Sequence, residues 1–221
     1  MTFGDIKTRI EQIVNATISQ TYYVRFSPDD YKTAINNAQY KLIDLGVKYR
    51  DVIFKVHGVD IFSKLWNSKS TVGTFNLEDE NAYTVLAVVQ VAGTYRARTG
   101  LRYVPETEFE KLSASLNSFK KPLKGDKIWT IKGNAVHISP DPISEDESYT
   151  FYYIKHPTLY DGTNDIDSPD FPRSIQNVIP YLAAYELAIR SESGLEEYAE
   201  AWYKQAMDML GIGGIVNANK D

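Results

Sequence analysis

The 221-residue sequence is 43% hydrophobic and 24% charged, which suits one sizeable domain, or one domain with an appendage, that can bury a core. Its formal net charge of −5 argues against a general nucleic-acid binder, because such proteins need a basic excess to displace counterions from phosphates. It contains no cysteine, which excludes disulfides, thiolate metal ligands and cysteine nucleophiles.

Two amphipathic helices are predicted near the N-terminus. The first follows a start at Thr2–Asp5 that resembles a capping box, and isoleucines recur behind it at helical spacing. The second begins at Ser27-Pro28-Asp29-Asp30, where serine caps, proline fits the first helical position, and aspartates suit the positive end of the helix dipole. Its apolar stripe continues to Leu45, so the helix ends at Gly46 or runs on toward Phe54.

The middle of the chain changes to a strand pattern. Two runs rich in valine and other strand formers come first, at Thr71–Phe75 and Tyr83–Val91. Two alternating segments then flank Gly133-Asn134, a turn composition that favours a β-hairpin. Ser148–Lys155 alternates again, and a short helix is expected at Pro105–Leu112. These segments predict an antiparallel sheet, built one strand after another.

The C-terminal part is predicted to be a loop followed by helices. Pro157–Phe171 is rich in turn formers, and the helical period returns at about residue 172. Pro180 lies inside the first apolar helix, so a kink or a break is expected there. Gly194 separates this helix from a last amphipathic one. The glycine-rich end, Gly211–Asp221, is expected to be flexible.

Helices at both ends, with strands between them, indicate an α+β fold and not a doubly wound sheet. We expect a helical bundle from the N- and C-terminal helices, with a central antiparallel β-sheet and hairpin as an insertion. The stretch Asp51–Leu65 fits no pattern. The expected bounds are one domain at 1–210, helices at about 3–56 and 172–210, a β region at about 70–157, and a tail at 211–221.

No motif in the sequence indicates catalysis, a cofactor or a metal. The three histidines are far apart in sequence and lack metal-ligand spacing. The sequence has neither a phosphate-binding loop nor a nucleophile elbow. We therefore expect that the protein is not an enzyme and that it has no cofactor and no metal site.

The order of the segments along the chain carries a family resemblance. The segments are Phe26–Tyr31 with Ala34–Gln39, Tyr83–Val89, Pro105–Leu112, the hairpin Ile128–Ile138 with Ser139–Pro142, Phe151–Pro157 and Phe171–Arg173. In this order, between terminal helices, they resemble the head-to-tail adaptor family of tailed bacteriophages, also called neck ring, head-completion or tail tubular proteins. The resemblance covers most of the chain, Met1 to Leu210.

The resemblance implies a structural protein of the virion neck, assembled in the host cytoplasm. Such proteins typically form a ring of about twelve copies beneath the portal protein, with closed cyclic symmetry. The ring extends the DNA channel toward a downstream tail protein. Packaged DNA then passes without sequence-specific binding, and no membrane is involved. Three apolar side chains of the tail, Ile212, Ile215 and Val216, are expected to anchor on the portal and to become ordered only on binding.

Acidic clusters leave two alternatives open. Two carboxylates held in a cleft could serve a tail-associated cell-wall hydrolase, and Glu145, Asp146 and Asp167 are the candidates. The aspartates of Asp161–Asp170 could instead hold calcium in a binding module, although their spacing is not that of an EF-hand loop. Both alternatives compete with the structural role.

Overall fold

The computed structural model describes residues 1–17, 26–72, 75–92, 97–114, 126–140, 148–190 and 195–218. The helices are α1 (Phe3–Thr17), α2 (Pro28–His57), α3 (Glu106–Ser113), α4 (Arg173–Gln176), α5 (Ile179–Arg190), α6 (Glu196–Met209) and α7 (Gly213–Ala218). The strands are β1 (Trp66–Thr71), β2 (Phe75–Asn76), β3 (Ala82–Ala92), β4 (Ala97–Gly100), β5 (Arg102–Tyr103), β6 (Ile128–Lys132), β7 (Ala135–Ser139) and β8 (Ser148–Lys155). The predicted α+β fold is confirmed.

The chain divides into two compact units. The helical unit combines residues 1–65 with residues 157–221, and the sheet unit comprises residues 66–156. The β-rich region is therefore inserted between two helical stretches of the chain. The predicted short helix at Pro105–Leu112 is confirmed as α3, which belongs to the sheet unit.

Helix α5 is the centre of the helical unit. It packs against α1, α2 and α6, and most of its side chains are buried. Pro180 lies in its first turn, where a missing N–H breaks no helical hydrogen bond. The expected break falls just before this proline, where α4 ends at Gln176 and α5 begins at Ile179.

Helix α2 starts as its sequence predicts and runs further than its apolar stripe. The Asp30 N–H donates to Ser27 Oγ at 3.2 Å, and the Ser27 N–H donates to Asp30 Oδ2 at 2.8 Å. This reciprocal pair is the capping box of the helix. The helix continues through a kink at Tyr49, where φ is −124° and ψ is 23°, and ends at Gly58 in the left-handed region, with φ 67°.

The stretch Asp51–Leu65, which fitted no sequence pattern, folds back onto α2. Its first part is the last two turns of the helix, and its second part is a turn in which Ile61, Phe62 and Leu65 are buried. Asp60 holds this turn, because its carboxylate pairs with Arg50 and accepts from the Phe62 N–H at 3.1 Å. Gly46 gives the turn room, because an added Cβ there would lie 2.7 Å from Phe62 Cζ.

The loop that follows the sheet unit joins α1 to α2. The Phe3 and Gly4 N–H groups donate to the Asp167 and Asp165 carbonyls, at 2.7 and 3.0 Å. On the α2 side, the Asn36 amide donates to the Tyr160 carbonyl at 2.9 Å and accepts from the Tyr160 N–H at 2.8 Å. The segment predicted as a loop thus lacks helix and strand, yet it is fixed by backbone hydrogen bonds.

The sheet unit contains two four-stranded sheets, in the orders β1-β8-β3-β4 and β2-β7-β6-β5. The predicted hairpin is confirmed as β6 and β7, joined through Gly133 with φ 56°. The expectation of one strand after another is wrong, because β8 pairs with both β1 and β3, and β5 pairs with β6 in parallel. Aromatic rings fill the core, where Phe75 stacks on Phe151 at a centroid distance of 4.6 Å.

Candidate interaction surface

The C-terminal end of the chain is seated against the last turn of α2. Gly211 has φ 76°, and an added Cβ would lie 2.4 Å from Val56 Cγ2. The neighbouring His57 Nε2 lies 3.0 Å from the Met209 carbonyl oxygen. Glycine is required at this turn because it tolerates a left-handed backbone and lets Val56 approach closely.

The reversal at Gly211 places Ile212 in the core. Ile212 has no exposed surface, and its N–H donates to the Met207 carbonyl at 3.0 Å. The expected set of anchors is therefore corrected at Ile212, because a fully buried side chain is not available to a partner. Ile215 is 40% exposed and stays a predicted contact residue. The side chain of Val216 lies outside the described residues.

The segment expected to be a flexible tail also has regular structure. Residues 211–212 form the turn, and Gly213–Ala218 form α7. Residues 219–221 lie outside the described part of the chain. The sequence signal was misleading here because glycine is typical both of flexible linkers and of the turn that ends a helix.

Three exposed apolar side chains mark this end of the helical unit. We name Val56, Val59 and Ile215 the C-terminal apolar surface; they are 55%, 37% and 40% exposed. Val56 lies against Gly211, which leads into α7, so the end of α2 and the start of α7 are neighbours. Apolar side chains exposed on neighbouring elements are candidates for a contact surface. Val56 and Val59 were missed from the sequence because they belong to the stretch that fitted no pattern.

The aspartates of Asp161–Asp170 accept hydrogen bonds from different donor groups. The Asp161 carboxylate accepts from the Thr163 and Asn164 N–H groups, both at 2.7 Å, and these bonds hold its pKa below the ordinary value. Burial and the hydrogen bond to Asp165 raise the pKa of Tyr160 to about 12. Over the part of the chain that the structure describes, no three acidic or histidine side chains gather as metal ligands would.

Of the three candidate acids of a hydrolase, only Asp167 lies in the part of the chain that the structure describes. Asp167 is exposed in the loop and accepts from Asn164 Nδ2 at 2.8 Å. Glu145 and Asp146 lie outside the described residues.

Comparison with protein families decides what kind of protein this is. The family model described as SU10 adaptor protein matches residues 1–221, the whole chain. The chain belongs to the SU10 adaptor protein family. A search of curated proteins gave no significant match. The resemblance seen in the order of segments is thus confirmed at the level of a phage adaptor.

Membership in the adaptor family supports a structural role in the virion. A structural role fits a functional site that consists of contact surfaces and not, within the described residues, of converging catalytic groups. Within the described ranges, no helix combines the length and the apolar character that crossing a membrane requires. The contact surfaces of the helical unit are therefore the candidate functional site of this adaptor.

Proposed function

We propose that this adaptor forms a ring between the portal and the tail, and that the ring extends the DNA channel of the virion neck. The observation that carries the proposal is the family match over the whole chain. The family resemblance implies about twelve copies, and closed cyclic symmetry is the arrangement expected of such a ring. The order of segments, with a β-rich insertion between helices, supports the same role.

The C-terminal apolar surface is the part that we assign to the portal. Val56 and Ile215 keep about half of their surface in water, and burial of apolar surface contributes roughly 25 cal/mol per Å². The C-terminal apolar surface lies at the end of the chain that the sequence predicted to dock on the portal. Ile212 belongs to that end, but it supports the surface from the core. Docking thus uses a preformed end of the helical unit and does not require a disordered segment to fold.

The sheet unit is the part that we assign to the downstream tail protein. Strand β1 is at the edge of its sheet and pairs with β8 along its whole length. Five of its six residues are polar, and Lys69 is among them. A polar edge with a lysine discourages uncontrolled strand pairing, so we assign side-chain contacts along this edge to the partner.

The net charge of the chain is consistent with a channel through which DNA passes. The net charge of −5 gives no basic excess that would hold phosphates. A ring of such chains lets packaged DNA move along the channel without sequence-specific contacts.

Portal docking is tested by a substitution that introduces a charge into the C-terminal apolar surface. In copurification with the portal protein of the same genome, Val56→Asp is expected to weaken binding at least about tenfold, because a carboxylate must then be desolvated at the contact. Val72→Asp is the matched control, since Val72 is 58% exposed and lies in the sheet unit. Equal binding by Val56→Asp and Val72→Asp would contradict the assignment, provided that both variants keep the parent's circular dichroism.

A further inference from the structure

A groove runs along the exposed side of α1 in the helical unit. It consists of two adjoining cavities of about 400 and 450 Å³, which share Arg9 and Gln12. The first cavity reaches Arg173 of α4, and the second is lined by Tyr181 of α5 and Trp202 of α6. The groove thus lies between α1 and α6, over one side of the central helix α5.

The two halves of the groove differ in chemistry. Arg9 and Arg173 make the first half cationic, and neither forms an ion pair with another described residue. Asp5 also lines this half, but its carboxylate accepts from the Thr2 N–H at 2.9 Å. Aromatic rings and aliphatic groups make the second half apolar. An occupant that fits must therefore combine an acidic group with an apolar one.

Helix α2 presents a stripe of that composition. Its outward positions at spacings of three, four and three residues are Asp44, Val47, Asp51 and Phe54, which we name the acidic–apolar stripe. All four are exposed, Val47 to 44% and Phe54 to 52%. The stripe crosses the kink at Tyr49, and its members are exposed on both sides of that kink.

The stripe and the groove also agree in length. At 1.5 Å per residue, the stripe spans roughly 15 Å and the groove wall on α1, from Asp5 to Ala16, spans roughly 16 Å. Phe54, at one end of the stripe, matches the apolar half of the groove, and Asp51, the next member of the stripe, matches the cationic half where Arg9 lies. Such a helix in a groove is a common mode of protein recognition.

We propose that the groove of one copy receives the acidic–apolar stripe of a second copy, with Phe54 in the apolar half and Asp51 facing Arg9. The inference rests on the proposed ring, because a groove and a stripe on different surfaces make a head-to-tail contact. Repeated head-to-tail contacts close into a ring when the rotation per copy allows it. The pairing supplies the contact between neighbouring subunits of the ring.

Engineered cysteines test this pairing directly, because the chain has no cysteine of its own. Gln12→Cys places a thiol at the centre of the groove, and Lys55→Cys places one at the exposed position next to Phe54. When the two single variants are mixed under a mild oxidant, we expect the Gln12→Cys/Lys55→Cys disulfide heterodimer to form at least about tenfold faster than a control pair. The control pairs Gln12→Cys with Glu197→Cys, an exposed position of α6 outside the stripe.

Charge reversal makes the test specific for the proposed ion pair. Arg9→Glu in the Gln12→Cys chain is expected to slow the crosslink about tenfold, and Asp51→Arg in the Lys55→Cys chain is expected to restore it. Arg9 and Asp51 are both exposed, so neither change disturbs the core. A crosslink no faster than the control, or one that Asp51→Arg does not restore, would overturn the pairing.

The failure of this inference can be told apart from the failure of the proposed function. A crosslinked groove and stripe, together with no binding to the portal, would contradict the portal adaptor and support the pairing. A complex of about twelve copies on the portal without this crosslink would support the ring and contradict the pairing.

Discussion

Gly46 allows the most direct test of how α2 and its fold-back turn pack. An added Cβ would lie 2.7 Å from Phe62 Cζ and 3.1 Å from Ile61 Cδ1, and both side chains are fully buried. Replacing glycine by alanine inside a helix stabilises by about 1 kcal/mol through helix propensity alone, whereas overpacking a core costs about 1–3 kcal/mol. We therefore expect Gly46→Ala to lower the free energy of unfolding by up to about 2 kcal/mol, although propensity alone predicts a gain.

The assay is urea unfolding followed by far-ultraviolet circular dichroism, in a double-mutant cycle with Phe62→Leu. The smaller side chain removes the contact, so Gly46→Ala should cost much less in the Phe62→Leu background. Gly58→Ala is the control: its φ of 67° costs about 1–2 kcal/mol in any residue with a Cβ, and nothing lies within 4 Å of that Cβ. Phe62→Leu should not reduce the cost of Gly58→Ala.

Two results would refute this reasoning. One is a Gly46→Ala protein that is more stable than the parent, which would mean that helix propensity outweighs the contact. The other is an equal effect of Phe62→Leu on Gly46→Ala and on Gly58→Ala, which would mean that the coupling to Phe62 is not a packing contact.

Two further outcomes follow from capping and from the acidic loop. Ser27→Ala removes the capping box and should cost about 1 kcal/mol in urea unfolding; Ser174→Ala, an exposed change in α4, should cost little. Asp161 has a lowered pKa in the folded protein, so its contribution to stability is present above its ordinary pKa and is lost as the pH falls through the lowered value. Asp161→Asn should flatten the fall of the melting temperature below about pH 4, and an unchanged profile would contradict the role of this turn.

Elements with local signals were predictable from the sequence. The capping residues before α2, the Gly133 turn between β6 and β7, and the loop after the sheet unit each depend on neighbouring residues. The sheet order did not follow from local signals, because Trp66 pairs with Ile154 across most of the inserted unit. Strand partners so far apart in sequence are chosen by packing of the whole sheet and not by turn chemistry.

The surfaces were harder to predict than the elements. Ile212 looked like part of a flexible end, and its burial depends on the left-handed turn at Gly211 and on the end of α2. The groove joins Arg9 to Tyr181 and Trp202, which lie far along the chain, so sequence spacing gives no sign of it. The acidic–apolar stripe was hidden because it crosses Gly46 and enters the stretch that fitted no pattern, whereas that glycine makes room for Phe62 inside a continuing helix.

The most direct test of the adaptor role is the native mass of this chain when it is coexpressed with the portal protein of the same genome. The proposed function predicts one complex in which a closed ring of about twelve copies of this chain, the number that the family resemblance implies, is bound to the portal. Two separate species, portal and free chain, would contradict it.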